Sequence, residues 1–239
     1  FGDKRDMTQN IENQYKQQAA RLALERVKSG MRLGLGTGST TAFFVDLLGQ
    51  ALQNGELHGI VGAPTSERTR RQAEKWGIPL ASLDELQTLD LAVDGADEID
   101  PQLDLIKGLG KALLREKIVE IHAQRFVVIA DESKLVRRLG AGPLPVEIVQ
   151  FEAPAHVRWL GGLADRAELW RAEDGSPFIT DNGNFLARLW FETGIADPYA
   201  LANALAQRPG IVEHGLFLGM ATEALVAGAD GIRTLRAKA

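Results

Sequence analysis

The chain contains no cysteine, which removes disulfides, thiolate nucleophiles and cysteine-ligated zinc at once. No run of about eighteen apolar residues occurs, so the sequence predicts no membrane-spanning helix. The opening stretch FGDKRDMTQN carries no apolar core of the kind a secretory signal needs, and the expected compartment is the cytoplasm. Excess positive charge is missing too: 27 Lys and Arg face 32 Asp and Glu, for a formal charge of −5 and a pI near 5.5. That balance argues against an electrostatic grip on nucleic acid or acidic lipid. The four histidines, His58, His122, His156 and His214, show no ligand spacing and read as structural.

What is present is an ordinary globular composition, 45% hydrophobic and 25% charged over 239 residues, enough for one large domain or two modest ones. Residues 1–6, which precede Met7, are set aside from the fold reading. Residues 13–29 carry Ala19, Leu22, Ala23 and Val27 at helical spacing, closed by Gly30. MRLGLGTGS reads as a strand entering a glycine turn, and TTAFFVDLLGQAL as a helix with Ser39, Thr40 and Thr41 as candidate N-caps. HGIVGAP, IPLAS, LDLAVD and RFVVIAD read as further strands or short elements, separated by the helical SERTRRQAEKWG and ALLREKIVEIHA. Alternation of this kind implies a mostly parallel sheet with helical crossovers.

After GPLPVE the pattern changes. VEIVQF, a helix over 155–163, AELWRAE, FLARLWF, the helix DPYALANALAQ and GIVEHGLF give strand–helix–strand–strand–helix–strand, the split βαβ, ferredoxin-like order. MATEALVAGADGIRTL is expected to rejoin the first sheet. The expected fold is therefore α/β, with a Rossmann-like domain over 1–141 and 218–239 and a smaller ferredoxin-like α+β domain over 142–217.

GLGTGST, residues 34–40, fails as a dinucleotide fingerprint. Ser39 stands where the third glycine is needed, and the second strand ends at Gly62–Ala63–Pro64–Thr65 with no acid for a ribose diol. The turn instead suits an anion such as a monophosphate, met by backbone N–H groups and the Ser39 and Thr40 hydroxyls at a helix start. DGADEID puts four carboxylates in seven residues at the end of an apolar strand. Asp94 and Asp97, with only Gly95 and Ala96 between them, sit where ligands bind in open α/β sheets. Glu98 and Asp100 are assigned to a solvated face or to capping. The stretch lacks the alternating spacing of a calcium loop, and no metal is expected. Lys107 opens a second glycine turn. Glu116 then falls at the border of the apolar stripe of the next helix, where it is either an exposed acid pairing with its neighbours or a half-buried base.

Taken in order, GLGTGST, DGADEID, KGLGKALLREKIV, VVIADESK, GPLPVEI, TDNGN and GLFLGMATEALVAG resemble ribose-5-phosphate isomerase, type A. The resemblance runs from about residue 15 to the C-terminus. It implies a cofactor-free aldose–ketose isomerase interconverting ribose 5-phosphate and ribulose 5-phosphate in the pentose phosphate pathway. It further implies a Rossmann-like domain, a ferredoxin-like domain, and a homodimer or homotetramer. On this resemblance Thr37, Gly38, Ser39 and Thr40 form the hydroxyl-rich substrate turn, Asp94, Gly95, Ala96 and Asp97 the acidic loop, and Lys107, Gly108, Leu109 and Gly110 the lysine–glycine turn. Glu116 is the implied proton acceptor and Lys134 a further substrate contact. Leu109 and Lys111 replace small residues in that turn, and a positive φ at Leu109 would strain it.

The chemistry follows from the residue types. Moving a carbonyl from C1 to C2 needs one carboxylate to carry a proton between adjacent carbons, and Glu116 suits that task. Lys107 would stabilise the enediolate oxygen. Asp94 and Asp97 would move the protons that open the furanose ring, and Lys16 is a candidate partner for the phosphate. A sugar-phosphate sensor without turnover is the main rival reading, disfavoured because Glu116, Asp94 and Asp97 are all retained.

Overall fold

The structure is a computed structural model and describes residues 2–237. Phe1, counted in the stretch set aside above, and residues 238–239, counted in the expected first domain, lie outside it. The chain packs as two compact units. One holds the residues up to Gly95, Ile118–Lys134 and the chain from Met220; the other holds Ala96–Lys117 and Leu135–Gly219.

The first unit is built on a six-stranded sheet. In space its strands run Val61–Pro64, Arg32–Leu35, Leu91–Asp94, Phe126–Asp131, Glu223–Gly228 and Gly231–Arg236. All neighbours are parallel except the last pair, a hairpin at the edge. Counted along the chain, the order is 2-1-3-4-5-6, a doubly wound sheet whose order reverses between Arg32–Leu35 and Leu91–Asp94. Leu91–Asp94, Phe126–Asp131 and Glu223–Gly228 are buried along their whole length, which is why they read as continuous apolar runs rather than alternating ones. Ala19, Ala20 and Ala23 of the first helix meet Phe44, Val45 and Leu48 of the second in the main core. Each fully buried Leu or Phe there contributes about 1.5–3 kcal/mol. The first helix spans Gly2–Leu24 rather than 13–29. It ends early because Arg26 and Val27 donate to carbonyls three residues back, which tightens the last turn. IPLAS forms no strand; Leu80 makes only an isolated bridge to Gly62.

The second unit contains the antiparallel sheet. Its strands Leu144–Ile148, Arg166–Leu169, Phe185–Trp190 and Ile211–His214, with helices Ala153–Leu160 and Pro198–Ala206, have the βαββαβ order expected from the sequence. The spatial order 4-1-3-2 is ferredoxin-like. Leu144, Val146, Ile148, Leu160, Leu189 and Leu205 fill its core. A separate three-stranded sheet pairs Leu216–Phe217, Leu105–Ile106 and Glu98–Ile99.

That small sheet changes two expectations. The segment 96–117, expected with the first domain, packs in the second unit, because its two short strands are bonded to each other and to Leu216–Phe217. GIVEHGLF is two strands in two sheets, not one. Gly215 is the corner: its N–H donates to Pro145 O at 2.8 Å and its carbonyl accepts from Lys107 N at 2.9 Å. A Cβ at 215 would lie 2.2 Å from the Lys107 carbonyl oxygen, so only glycine fits.

Candidate active site

In the first unit, the ends of Arg32–Leu35 and Leu91–Asp94 lie side by side at the reversal point, with Gly36 N donating to Val93 O at 3.0 Å. Asp94 is fully buried. Its Oδ1 accepts from Gly95 N at 2.7 Å, Thr37 N at 2.9 Å and the Thr41 hydroxyl at 3.0 Å. A Cβ at Gly36 would fall 2.1 Å from the Asp94 carboxyl carbon, so the close approach depends on glycine. Asp94 thus draws the glycine turn onto the end of its own strand.

The cap of the second helix departs from expectation. Ser39, Thr40 and Thr41 are not its N-cap; Gly38 is, at φ 154° and ψ 173°, with no side-chain cap bond. That backbone region is essentially reserved for glycine. Thr41 turns to Asp94 instead. Thr37 also turns inward: its hydroxyl lies 2.7 Å from Thr65, 2.8 Å from Ser66 and 3.0 Å from Thr69. Thr69 then donates to Gly36 O at 2.8 Å. Sequence reasoning missed this hydroxyl cluster, whose signal was the TSERT stretch after the second strand. Ser39 is exposed and Thr40 buried. The exposed Ser39 opens the helix Ser39–Gln53, whose first-turn N–H groups have no partner within the helix. Lys134 ends the short turn Glu132–Lys134, directly after the strand Phe126–Asp131, and is half-buried. Lys16 is half-buried in the first helix.

In the second unit, Lys107 follows the strand Leu105–Ile106 and is pinned by its backbone to Gly215. Its ammonium lies 3.5 Å from Glu116 Oε2, and both side chains are 2% exposed. The Phe217 ring centroid lies 5.3 Å from the same nitrogen. Glu116 occupies the first turn of the helix Leu113–Glu120, where the helix dipole favours an acid. It is buried, not exposed. Burying a lysine–carboxylate pair costs several kcal/mol per ion before their attraction is counted, so the pair is not explained by stability.

Lys117, beside Glu116, reaches Glu213 at 2.6 Å and His214 O at 2.7 Å. Leu109 escapes the strain that a positive φ would bring: the positive values in this turn belong to Gly108, at 109°, and Lys111, at 68°. Leu109 N donates to Asp97 Oδ2 at 2.8 Å, and Lys111 Nζ sits 4.3 Å from the Phe178 ring centroid. Gly110 is exposed, while Ala96 and Asp97 are half-buried.

The acidic stretch divides by function. Glu98, assigned to a solvated face or to capping, is not solvated: it is buried and accepts from Gly140 N at 2.7 Å and from Gly142 N. Asp100 does cap its turn, accepting from Gln102 N at 2.8 Å and Asp104 N at 2.9 Å, and burial raises its pKa. Among the described residues no group of three or more acids and histidines is placed to hold a metal ion, and no helix is long and apolar enough to cross a membrane.

The family model of ribose 5-phosphate isomerase A (phosphoriboisomerase A) matches residues 61–231. The chain belongs to the ribose 5-phosphate isomerase A family. A ribose-5-phosphate isomerase A of Roseiflexus sp. (strain RS-1) is 54% identical over 95% of this chain and 97% of its own. A probable ribose-5-phosphate isomerase 3, chloroplastic, of Arabidopsis thaliana is 49% identical over 92% of this chain and 82% of its own. A D-ribose-5-phosphate isomerase solved in complex with phospho-erythronic acid superimposes with a TM-score of 0.90 at 42% identity, over 93% of this chain and 98% of that one. As a member of the ribose 5-phosphate isomerase A family, the chain has both the doubly wound sheet and the smaller antiparallel unit.

Proposed function

We propose that this isomerase interconverts D-ribose 5-phosphate and D-ribulose 5-phosphate through an enediolate, without a cofactor or metal, with Glu116 as the proton carrier. The observation that carries the reading is the buried Lys107–Glu116 pair, 3.5 Å apart. Glu116 takes the proton from C2 of the aldose and returns it to C1. Between these two transfers the negative charge sits on the former carbonyl oxygen O1, where Lys107 stabilises it, and the hydroxyl proton at O2 passes to O1 as C1 is reprotonated; one well-placed donor of this kind is worth about 3–4 kcal/mol. Asp94 and Asp97 are assigned the transfers at O1 and the ring oxygen that open the furanose. Thr37, Gly38, Ser39 and Thr40 are assigned to the substrate turn, and Gly95, Ala96, Gly108, Leu109, Gly110 and Lys134 to further substrate contacts.

Support comes also from the relative bound to phospho-erythronic acid, whose carboxylate beside a hydroxyl-bearing carbon resembles the charge of an enediolate. A sensor that only binds has no use for a costly buried ion pair. The cytoplasm and a homodimer or homotetramer complete the proposal; the plant relative's chloroplast label concerns that protein.

Purified protein mixed with ribose 5-phosphate in metal-free, cofactor-free buffer should form the ketose, and a chelator should leave the rate unchanged. Glu116→Gln should lower kcat by about 10²–10⁴-fold while the sugar phosphate still binds. Near-normal turnover of that variant removes Glu116 as the base, and metal-restored activity after chelation removes the cofactor-free reading.

A further inference from the structure

We propose that Asn182 and Arg115 are positioning residues for Glu116, anchored on the buried carboxylate of Glu147. The proposal rests on the reading of Glu116 as the base. TDNGN, residues 180–184, is among the quoted motifs to which the chemistry above gives no task.

Glu147 lies in the strand Leu144–Ile148 and is fully buried. Its Oε1 collects three side-chain donors from the motif: Asn184 Nδ2 at 2.9 Å, Thr180 Oγ1 at 3.0 Å and Asn182 Nδ2 at 3.1 Å. The turn is closed on itself as well. Thr180 N donates to Asn184 O, Gly183 N to Thr180 O, and the N–H groups of Asn182 and Asn184 both reach the Thr180 hydroxyl. A buried carboxylate gathering this many donors is a strong local organiser, since charge-assisted bonds are about twice as strong as neutral ones.

Asn182 connects that anchor to the helix of Glu116. Its amide nitrogen serves Glu147, and its Oδ1 accepts from Arg115 Nε at 2.8 Å. Arg115 also donates through Nη2 to Asp181 O at 2.9 Å and approaches the Asp181 carboxylate at 3.8 Å. An amide can join an acceptor-only carboxylate to a donor-only guanidinium, because it carries a donor nitrogen and an acceptor oxygen. Arg115 directly precedes Glu116, and Lys117 directly follows it, tied to Glu213 and to His214 O. Successive helical residues point about 100° apart. Clamps on both flanking residues therefore fix the rotation of the helix about its axis, and that rotation sets where the Glu116 carboxylate points relative to Lys107. Tolerance at a reacting group is tight, since about 1 Å of misplacement costs on the order of 10²-fold in rate.

The test uses the full-length protein with Asn182→Ala, Arg115→Ala, their double variant, Arg115→Lys and Glu116→Gln. Asn182→Ala and Arg115→Ala should each lower kcat by about 10²-fold, leave KM within about threefold, and displace the acidic limb of the kcat–pH profile. The double variant should lose no more than either single one, because the two residues act as a unit, and Arg115→Lys should recover part of the rate. A kcat near normal in both single variants overturns the proposal, as does a raised KM with kcat preserved, which would make the turn a substrate contact. Should Asn182→Ala fold poorly, Arg115→Ala decides, because that side chain is 31% exposed. If Glu116→Gln turns over normally, the base reading fails; if it is inactive while Arg115→Ala is normal, the positioning proposal alone fails.

Discussion

Two buried carboxylates, one in each unit, are held by different physics. Asp94, in the parallel-sheet unit, is met at Oδ1 by two backbone N–H groups and a hydroxyl. Glu116, in the other unit, faces a buried ammonium at 3.5 Å. Neutral donors fixed by the backbone define a shape: they tie the glycine turn to a strand end and depend little on what is bound. An ion pair in a dry environment defines a charge, and it is sensitive to any change in that charge. The first arrangement builds a cradle, and the second stores reactivity.

The largest expected effect comes from removing the charge. Lys107→Met leaves Glu116 buried without its ammonium, which should cost about 3–5 kcal/mol of stability. The same variant should lose about 10²–10³-fold in kcat. Lys111→Ala removes the cation–π contacts of a half-buried lysine with Phe178 and Trp170 and should cost about 0.5–1 kcal/mol, with kcat nearly unchanged. Urea unfolding and steady-state kinetics on both variants read the contrast. Equal effects would mean that the lysine–glycine turn carries no special charge at Lys107.

A smaller effect tests the shape side. Asp94→Ala takes away the acceptor of Thr37 N, Gly95 N and the Thr41 hydroxyl and should cost about 1–3 kcal/mol in all, since the hydroxyl can turn away and Gly95 is only half-buried, and Gly36→Ala should act similarly by driving a methyl into the Asp94 carboxylate. Asp94→Asn keeps an acceptor oxygen for the same donors. It should recover most of the lost stability while remaining slow on the furanose form of the substrate. Full activity of Asp94→Asn would restrict Asp94 to holding the turn and leave ring opening to other groups.

The same contrast decided how much could be read from the sequence. Continuous apolar strands and helical spacing carry period information, so the doubly wound sheet and the βαββαβ order were legible. What was illegible depends on pairing partners far along the chain. Glu98 looks like any acid in an acidic run, yet it is buried by N–H groups of Gly140 and Gly142, more than forty residues away. The break at Gly215 was hidden for a similar reason, because it needs the Lys107 carbonyl to exist beside it. Glu116 and Lys107 were named largely through resemblance; wheel position alone left Glu116 between an exposed and a buried reading. Their separation of 3.5 Å had no signature in spacing.

The smallest effect at neutral pH, and the finest probe of the charged side, concerns His214. Burial first, and then the Lys117 ammonium, push its pKa down from 6.5 to about 4, against a smaller opposing pull from Glu213. The unfolded chain therefore takes up a proton near pH 6.5, while the folded chain does not until about pH 4. Between those values the unfolded state binds more protons, so this contribution to stability is intact above about 6.5, falls as the pH drops, and levels off below about 4. By the linkage relation it amounts to about 3 kcal/mol at most. His214→Asn offers an oxygen where Nδ1 now accepts from Leu216 N at 3.3 Å, and it cannot titrate. Its urea midpoint should decline less than that of the wild-type chain between pH 6.5 and 4. Parallel declines would show that His214 does not titrate under the influence of Lys117, and would place the acid sensitivity of this unit on its carboxylates instead.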